Sequence, residues 1–175
     1  MTRWFFATLL LLATLLAAPA YAQSPDLAKM SITELKKHAS EHPSVAYILA
    51  ARLLAQGKGL DAAKWMYAGQ LRYRYLVAAT QETAEPGEHA LFGALTEQVG
   101  RPVNEYIGGD VDEWIEAINW ALQWDEQTPD PLVDREQHSA KIKEIRDGLI
   151  EFRDDIDGKR KEIAKGRAEN GLPNR

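Results

Sequence analysis

From Ile32 onward, apolar residues recur every three or four positions, and no stretch alternates at a spacing of two. A chain patterned this way buries its apolar side chains only by packing helix on helix, so the expected fold class is all-α. The helix boundaries are marked by their caps. Ser31-Ile32-Thr33-Glu34 reads as a capping box that opens a helix near Ile32, and Pro43, which disfavours helical geometry in the residue before it, should end that helix near His42. Pro43 suits the first turn of a second helix, with Val45, Ile48, Leu49, Leu53 and Leu54 on one face and a stop at Gly57-Lys58-Gly59. A third helix, from about Leu60 to Thr80, is apolar nearly all round and should be the central buried one.

Beyond a polar linker from Gln81 to Gly87, Leu91, Leu95 and Val99 mark a fourth helix stopping at Gly100, followed by a short extra turn over Pro102 to Tyr106. Asp110 and Glu113 form a second capping box, opening a helix to about Trp124. Thr128-Pro129-Asp130-Pro131 breaks the chain. From about Val133 a long last helix carries the seam Ile142, Ile145, Leu149, Phe152, Ile156 and Ile163, interrupted by Lys159. The expected architecture is a compact bundle of about six helices.

The first residues belong to a different class. Arg3, the apolar run from Trp4 to Ala18 and the small residues of Ala20-Tyr21-Ala22 compose a signal peptide, residues 1–22, cleaved before Gln23. The mature chain is expected to form one helical domain, residues 23–164, and a polar tail, residues 165–175, that frays. The exported product is expected to be periplasmic and not inserted in the membrane once cleaved. With Cys 0, disulfides, thiolate metal sites and a cysteine nucleophile are excluded. Twenty-six Asp+Glu against twenty-one Lys+Arg leave a net charge of −5, the wrong sign for a general nucleic-acid binder.

Ala46-Tyr47, Leu49-Ala50, Leu53-Leu54, Gln56-Gly57, Ala62-Ala63, Trp65 and Ala68-Gly69 resemble one Sel1 or tetratricopeptide helical hairpin: a small residue at a helix crossing, a glycine turn, then an aromatic wedge. One such unit is legible, and no period near 34 residues recurs to make a solenoid. The run from Trp65 to Tyr75, with Gly100-Arg101-Pro102-Val103-Asn104-Glu105-Tyr106, resembles small exported helical proteins encoded beside type VI secretion effectors. That resemblance implies an immunity protein, protecting the periplasm from a phospholipase toxin.

Catalytic and metal signals are weak. His38-Ala39-Ser40-Glu41-His42 matches H-x-x-E-H, but that motif needs both histidines on one helix and Pro43 opposes it, so no metal site or other cofactor is expected. The carboxylates crowd among polar neighbours, where nothing raises a pKa for acid–base work, so the chain is read as no enzyme. Lys64, Trp65, Tyr67, Arg72, Tyr73, Arg74 and Tyr75 interleave bases with aromatics, yet at helical spacing they read as core, with Arg72 and Arg74 pairing to carboxylates of neighbouring helices.

Charge is unevenly placed. Residues 23–80 carry net +4, residues 81–131 carry twelve Asp/Glu against Arg101 alone, and residues 132–175 carry net +1. A one-signed block steers cationic partners, while the plainer alternative is a face neutralised by Arg72, Arg74 and the last helix. On the helix from Asp110, Val111, Trp114, Ile115, Ile118, Ala121 and Leu122 share the core side, and Trp120 points away from it beside Glu113, Glu116 and Gln123, with Trp124 flanking. Trp is enriched at interface hot spots, so these five residues are the expected partner-binding face, meeting a basic site on a cognate secreted effector. The alternative is a periplasmic Sel1/tetratricopeptide-like adaptor that binds another protein through the hairpin groove.

Overall fold

Pro43 divides the first apolar stretch into two helices, α1 (Ile32–His38) and α2 (Pro43–Ala55). The computed structural model describes residues 26–80 and 86–175; the expected signal peptide, its expected cleavage site and residues 81–85 of the linker lie outside the described residues. His42 is extended (φ −154°, ψ 137°), the geometry that a following proline imposes. The Ser31–Glu34 capping box closes α1 with both of its bonds in place. Gly57, at φ +74°, ends α2: the Gly57 N–H donates to the Leu54 carbonyl at 2.9 Å and the Lys58 N–H to Leu53 at 3.0 Å.

Helix α3 (Gly59–Ala79) is the centre of the molecule, packed by α2 on one side and by later helices on the others. Trp65, Met66, Tyr67, Leu71, Tyr73 and Tyr75 are all buried, as their all-round spacing predicts. Gly69 sets the α2–α3 approach, because a Cβ there would lie 3.0 Å from the Tyr47 ring and 3.1 Å from Ala46 Cβ and the Pro43 carbonyl.

The next stretch departs from expectation. Helix α4 (Pro86–Leu95) does not stop at Gly100 but passes through a π-helical turn, Thr96–Gly100, into α5 (Arg101–Ile107). Pro102 sits in the first turn of α5, directly after the π-helical turn. Helix α6 (Val111–Gln127) opens on Asp110, which accepts hydrogen bonds from the N–H groups of Asp112 and Glu113 at 2.9 and 3.1 Å. The second half of that capping box is not made: the Glu113 carboxylate turns instead to Arg175, 2.6 Å away.

The last helix is two helices, α7 (Ser139–Gly158) and α8 (Arg160–Glu169), separated at Lys159. It also starts later than Val133, because Asp130 and Asp134 draw the amides of the next residues into side-chain turns, Asp134 accepting from Glu136 and Gln137 at 3.0 Å. Its seam narrows to one residue in seven, with Ile142, Leu149 and Ile156 buried and Phe152 left 42% exposed. Regular structure continues beyond Lys165. Helix α8 runs to Glu169, and Gly171 (φ +71°) turns the chain back so that the Arg175 N–H donates to the Gly109 carbonyl at 2.7 Å. Arg175 stacks over Tyr106 at 4.0 Å from the ring centroid, an attraction that a reading by polarity alone misses. Among the described residues there is no strand, and the fold is all-α. No described helix is long and apolar enough to cross a membrane.

Candidate functional site

The buried side of α6 ends in a charge. Asp125 lies two helical turns beyond Ile118, on the same stripe as Ala121 and Leu122, and is fully buried. Three guanidiniums converge on it. Arg72 Nε stands 2.6 Å from Oδ1, Arg135 donates to Oδ2 at 2.7 Å, and Arg146 donates to the same oxygen. The Tyr75 hydroxyl donates to Oδ2 at 3.1 Å. Burial, reinforced by the adjacent Asp125 charge, pushes the Tyr75 phenol well above its ordinary pKa, so it remains a donor. Burial works against the charge of Arg146, but Asp125 and Tyr75 outweigh it and raise its pKa.

Arg72 does a second job. It donates to the carbonyls of Asp125 and Thr128 at 3.1 and 2.5 Å and meets Asp130 at 2.9 Å, so it satisfies two of the carbonyls at the C-terminal end of α6. Asp125 is thus a bolt joining α3, α6 and α7. Oδ2 takes three donors, from Arg135, Arg146 and Tyr75, whereas Oδ1 has only the close Arg72 Nε, without hydrogen-bond geometry.

The outer side of the same helix carries the expected binding residues. Trp120 does not point freely into solvent: it is half-buried, its ring 5.0 Å from that of Trp65 and edge-on to it, with Trp124 5.4 Å from Trp65. The small residues Ala117 and Ala121 let α3 approach this flank of α6, so the long indole beside them folds onto α3. Trp120 and Trp124 lie nearly parallel, 6.3 Å apart with 16° between their planes. With Gln123 and Gln127 they line a shallow hollow of about 150 Å³. Arg72 stacks beneath Trp124 at 5.2 Å, so the aromatic face and the buried bolt share a side chain.

The expected acidic field is largely cancelled. Glu113 pairs with Arg175, Glu116 with Lys64 at 2.7 Å, Asp112 with Arg160 at 2.8 Å and Glu97 with Arg101. Each counter-charge comes from a neighbour that the fold brings close, several from the basic blocks on either side of the acidic one. Arg72 pairs with carboxylates as expected, whereas Arg74 meets none among the described residues. Of the five expected residues, Trp120, Gln123 and Trp124 share the hollow, and Glu113 and Glu116 stand apart from it, already paired.

The histidine motif does not assemble. His38 ends α1 and pairs with Glu41 at 2.7 Å, while His42 has left the helix and uses Nδ1 to accept from the Ser44 amide at 3.2 Å. The i, i+4 relation that metal binding would require on one helix is therefore broken. Sequence reasoning misses Asp125 because Asp125-Glu126 reads as solvated charge, although its register with Ile118 and Leu122 marks it as core. Comparison with protein-family models, with curated proteins and with solved structures yields no match.

Proposed function

We propose that this chain is an exported protein-binding module of the immunity or inhibitor kind, which neutralises a secreted toxin enzyme through the Trp120/Trp124 face. The observation that carries the reading is the half-open pair of parallel indoles flanked by Gln123 and Gln127. Trp and Tyr anchors in a concave, partly desolvated patch are the usual energetic centre of an interface, with amides supplying direction. Asp125 fixes α6 to two other helices directly behind this patch, so little ordering entropy is lost on docking. The periplasmic setting and the toxin class rest on the signal-peptide pattern and on the resemblance of Trp65–Tyr75 and Gly100–Tyr106 to immunity proteins. A basic partner site reaches Glu113 or Glu116 only by displacing Arg175 or Lys64, so aromatic contact outweighs charge in this reading. The alternative hairpin groove is less available, because α3 is covered by α5, α6 and α7.

The test is binding and inhibition of a secreted enzyme recovered with the protein from its own cells. Trp120→Ala is expected to weaken binding by about 2 to 4 kcal/mol, roughly 30- to 1,000-fold in Kd. Gln123→Arg, at an exposed position, should block docking without loss of thermal stability. Capture of no secreted enzyme, or binding by both variants within threefold of the native protein, would overturn the proposal.

A further inference from the structure

A second polar cleft lies between α3, α5 and α7, away from the Trp120 hollow. Its volume is about 260 Å³, and Tyr67, Gln70 and Arg74 from one face of α3 line it with Asn104, Leu149 and Phe152. Arg74 is exceptional. Every other arginine among the described residues donates to a carboxylate, a carbonyl or an amide oxygen, whereas Arg74 has no such partner among them.

The orientation of Asn104 is set by its neighbours. The Trp114 indole is a donor only, and its Nε1–H donates to the Tyr67 hydroxyl oxygen at 2.5 Å. The one hydroxyl hydrogen of Tyr67 then goes to Asn104, 2.9 Å away, and the atom receiving it must be Oδ1. Burial holds the Tyr67 phenol far above its ordinary pKa, so this relay keeps its direction. With Oδ1 committed, the Asn104 amide hydrogens are left without an acceptor among the described residues. The cleft is thus lined by the exposed Arg74 and by Asn104, a residue that also borders two neighbouring clefts, with no lining carboxylate and an apolar wall that includes the 42% exposed Phe152.

We propose that this cleft binds a carboxylate carried on a small apolar body. The guanidinium fork matches two carboxylate oxygens, Asn104 Nδ2 supplies a third donor, and Leu149 with Phe152 covers the hydrocarbon part. Phosphate offers the same oxyanion to Arg74 but has nothing to place against Phe152. The site is independent of the face that meets a protein partner.

The experiment uses the purified protein, with side-chain nitrogen NMR of Arg74 and Asn104 during titration by 3-phenylpropionate, by its uncharged amide and by inorganic phosphate. Expected are saturable one-to-one shifts at both side chains with 3-phenylpropionate, and affinity at least tenfold weaker for the amide. Arg74→Gln should weaken the carboxylate at least tenfold. Gly148→Met is a second variant that spares the fold, since a Cβ at Gly148 meets nothing within 4 Å, and its side chain should block the cleft it lines. No saturable shift with the carboxylate, or binding unchanged in Arg74→Gln, would overturn the site. Phosphate binding as tightly as 3-phenylpropionate would overturn the assignment of ligand class.

Discussion

The two ends of α6 carry the same kind of charge in opposite surroundings. In its first turns, Asp112, Glu113 and Glu116 reach the rim and each meets one cation, Arg160, Arg175 and Lys64, with solvent still at hand. Near its last turn, Asp125 is fully buried and held by Arg72, Arg135 and Arg146. A rim pair in high dielectric gives back little more than the entropy of holding two long side chains together. A buried carboxylate is costly to desolvate, yet costlier still to remove, because its partners then keep their charge and lose the counter-ion they share. The same residue type is therefore ornament at one end of the helix and fastening at the other.

The strongest way to break this contrast is Asp125→Ala, which leaves three guanidiniums around an empty place. A loss of about 3 to 5 kcal/mol is expected for an orphaned buried charge cluster, equivalent to a fall of roughly 6 to 20 °C in melting temperature for a domain of this size. Calorimetry decides it, and a fall of under 3 °C would mean that Asp125 is no fastening. Arg135→Met should cost less than Arg72→Met, since Arg135 is 30% exposed and Arg72 only 6%.

Tyr75 sharpens the same end by pH. Its folded pKa lies above the ordinary phenol value, so the stability it contributes is fully present below about pH 10 and is lost as pH rises from there through the folded pKa. By pH 11 that loss should reach about 1.4 kcal/mol for one phenol. Tyr75→Phe should accordingly be less stable than the native protein at pH 8, through the lost bond to Asp125, and close most of the gap at pH 11. Denaturant titrations at the two pH values check this, and a gap that stays constant would show that Tyr75 is not held neutral by the fold. Tyr47, pushed up to about 12 by burial, adds to the general alkaline loss but should leave the difference between these two proteins unchanged.

How legible each feature is in the sequence depends on how local it is. The Ser31 box, the Pro43 start of α2 and the Gly57 stop depend on four to six neighbouring residues and stand where the sequence places them, although α1 ends at His38 rather than near His42. The late start of α7 depends on side-chain turns at Asp130 and Asp134, whose competition with a helix is visible only once the chain direction is known. The helical wheel alone assigns Trp120 to solvent, because it fixes where a Cβ points but not how far an indole reaches toward Trp65. The acidic block is real in sequence and muted in space, because its counter-charges arrive from residues as distant as Lys64 and Arg175. The charge on Asp125 misleads in the opposite way: the residue looks polar, although its position on the stripe of Ile118 and Leu122 already places it inside.

The smallest expected effect tests the rim. The Glu116 side chain is 56% exposed, and its partner Lys64 is anchored by its stem on α3 with 17% exposure, so the pair forms without either group leaving water completely. Glu116→Gln keeps the size and a hydrogen-bond acceptor for Lys64 while removing the charge, and the expected change is about 0.5 kcal/mol or less. Added salt should erase even that, since exposed charges are screened within a Debye length of about 8 Å at physiological ionic strength. Thermal unfolding of the variant and the native protein at low and high salt measures both quantities. A loss above about 1 kcal/mol, the upper end for an exposed pair, that survives high salt would place Glu116 with Asp125 as a structural carboxylate, and the division of α6 into a rim end and a fastened end would fail.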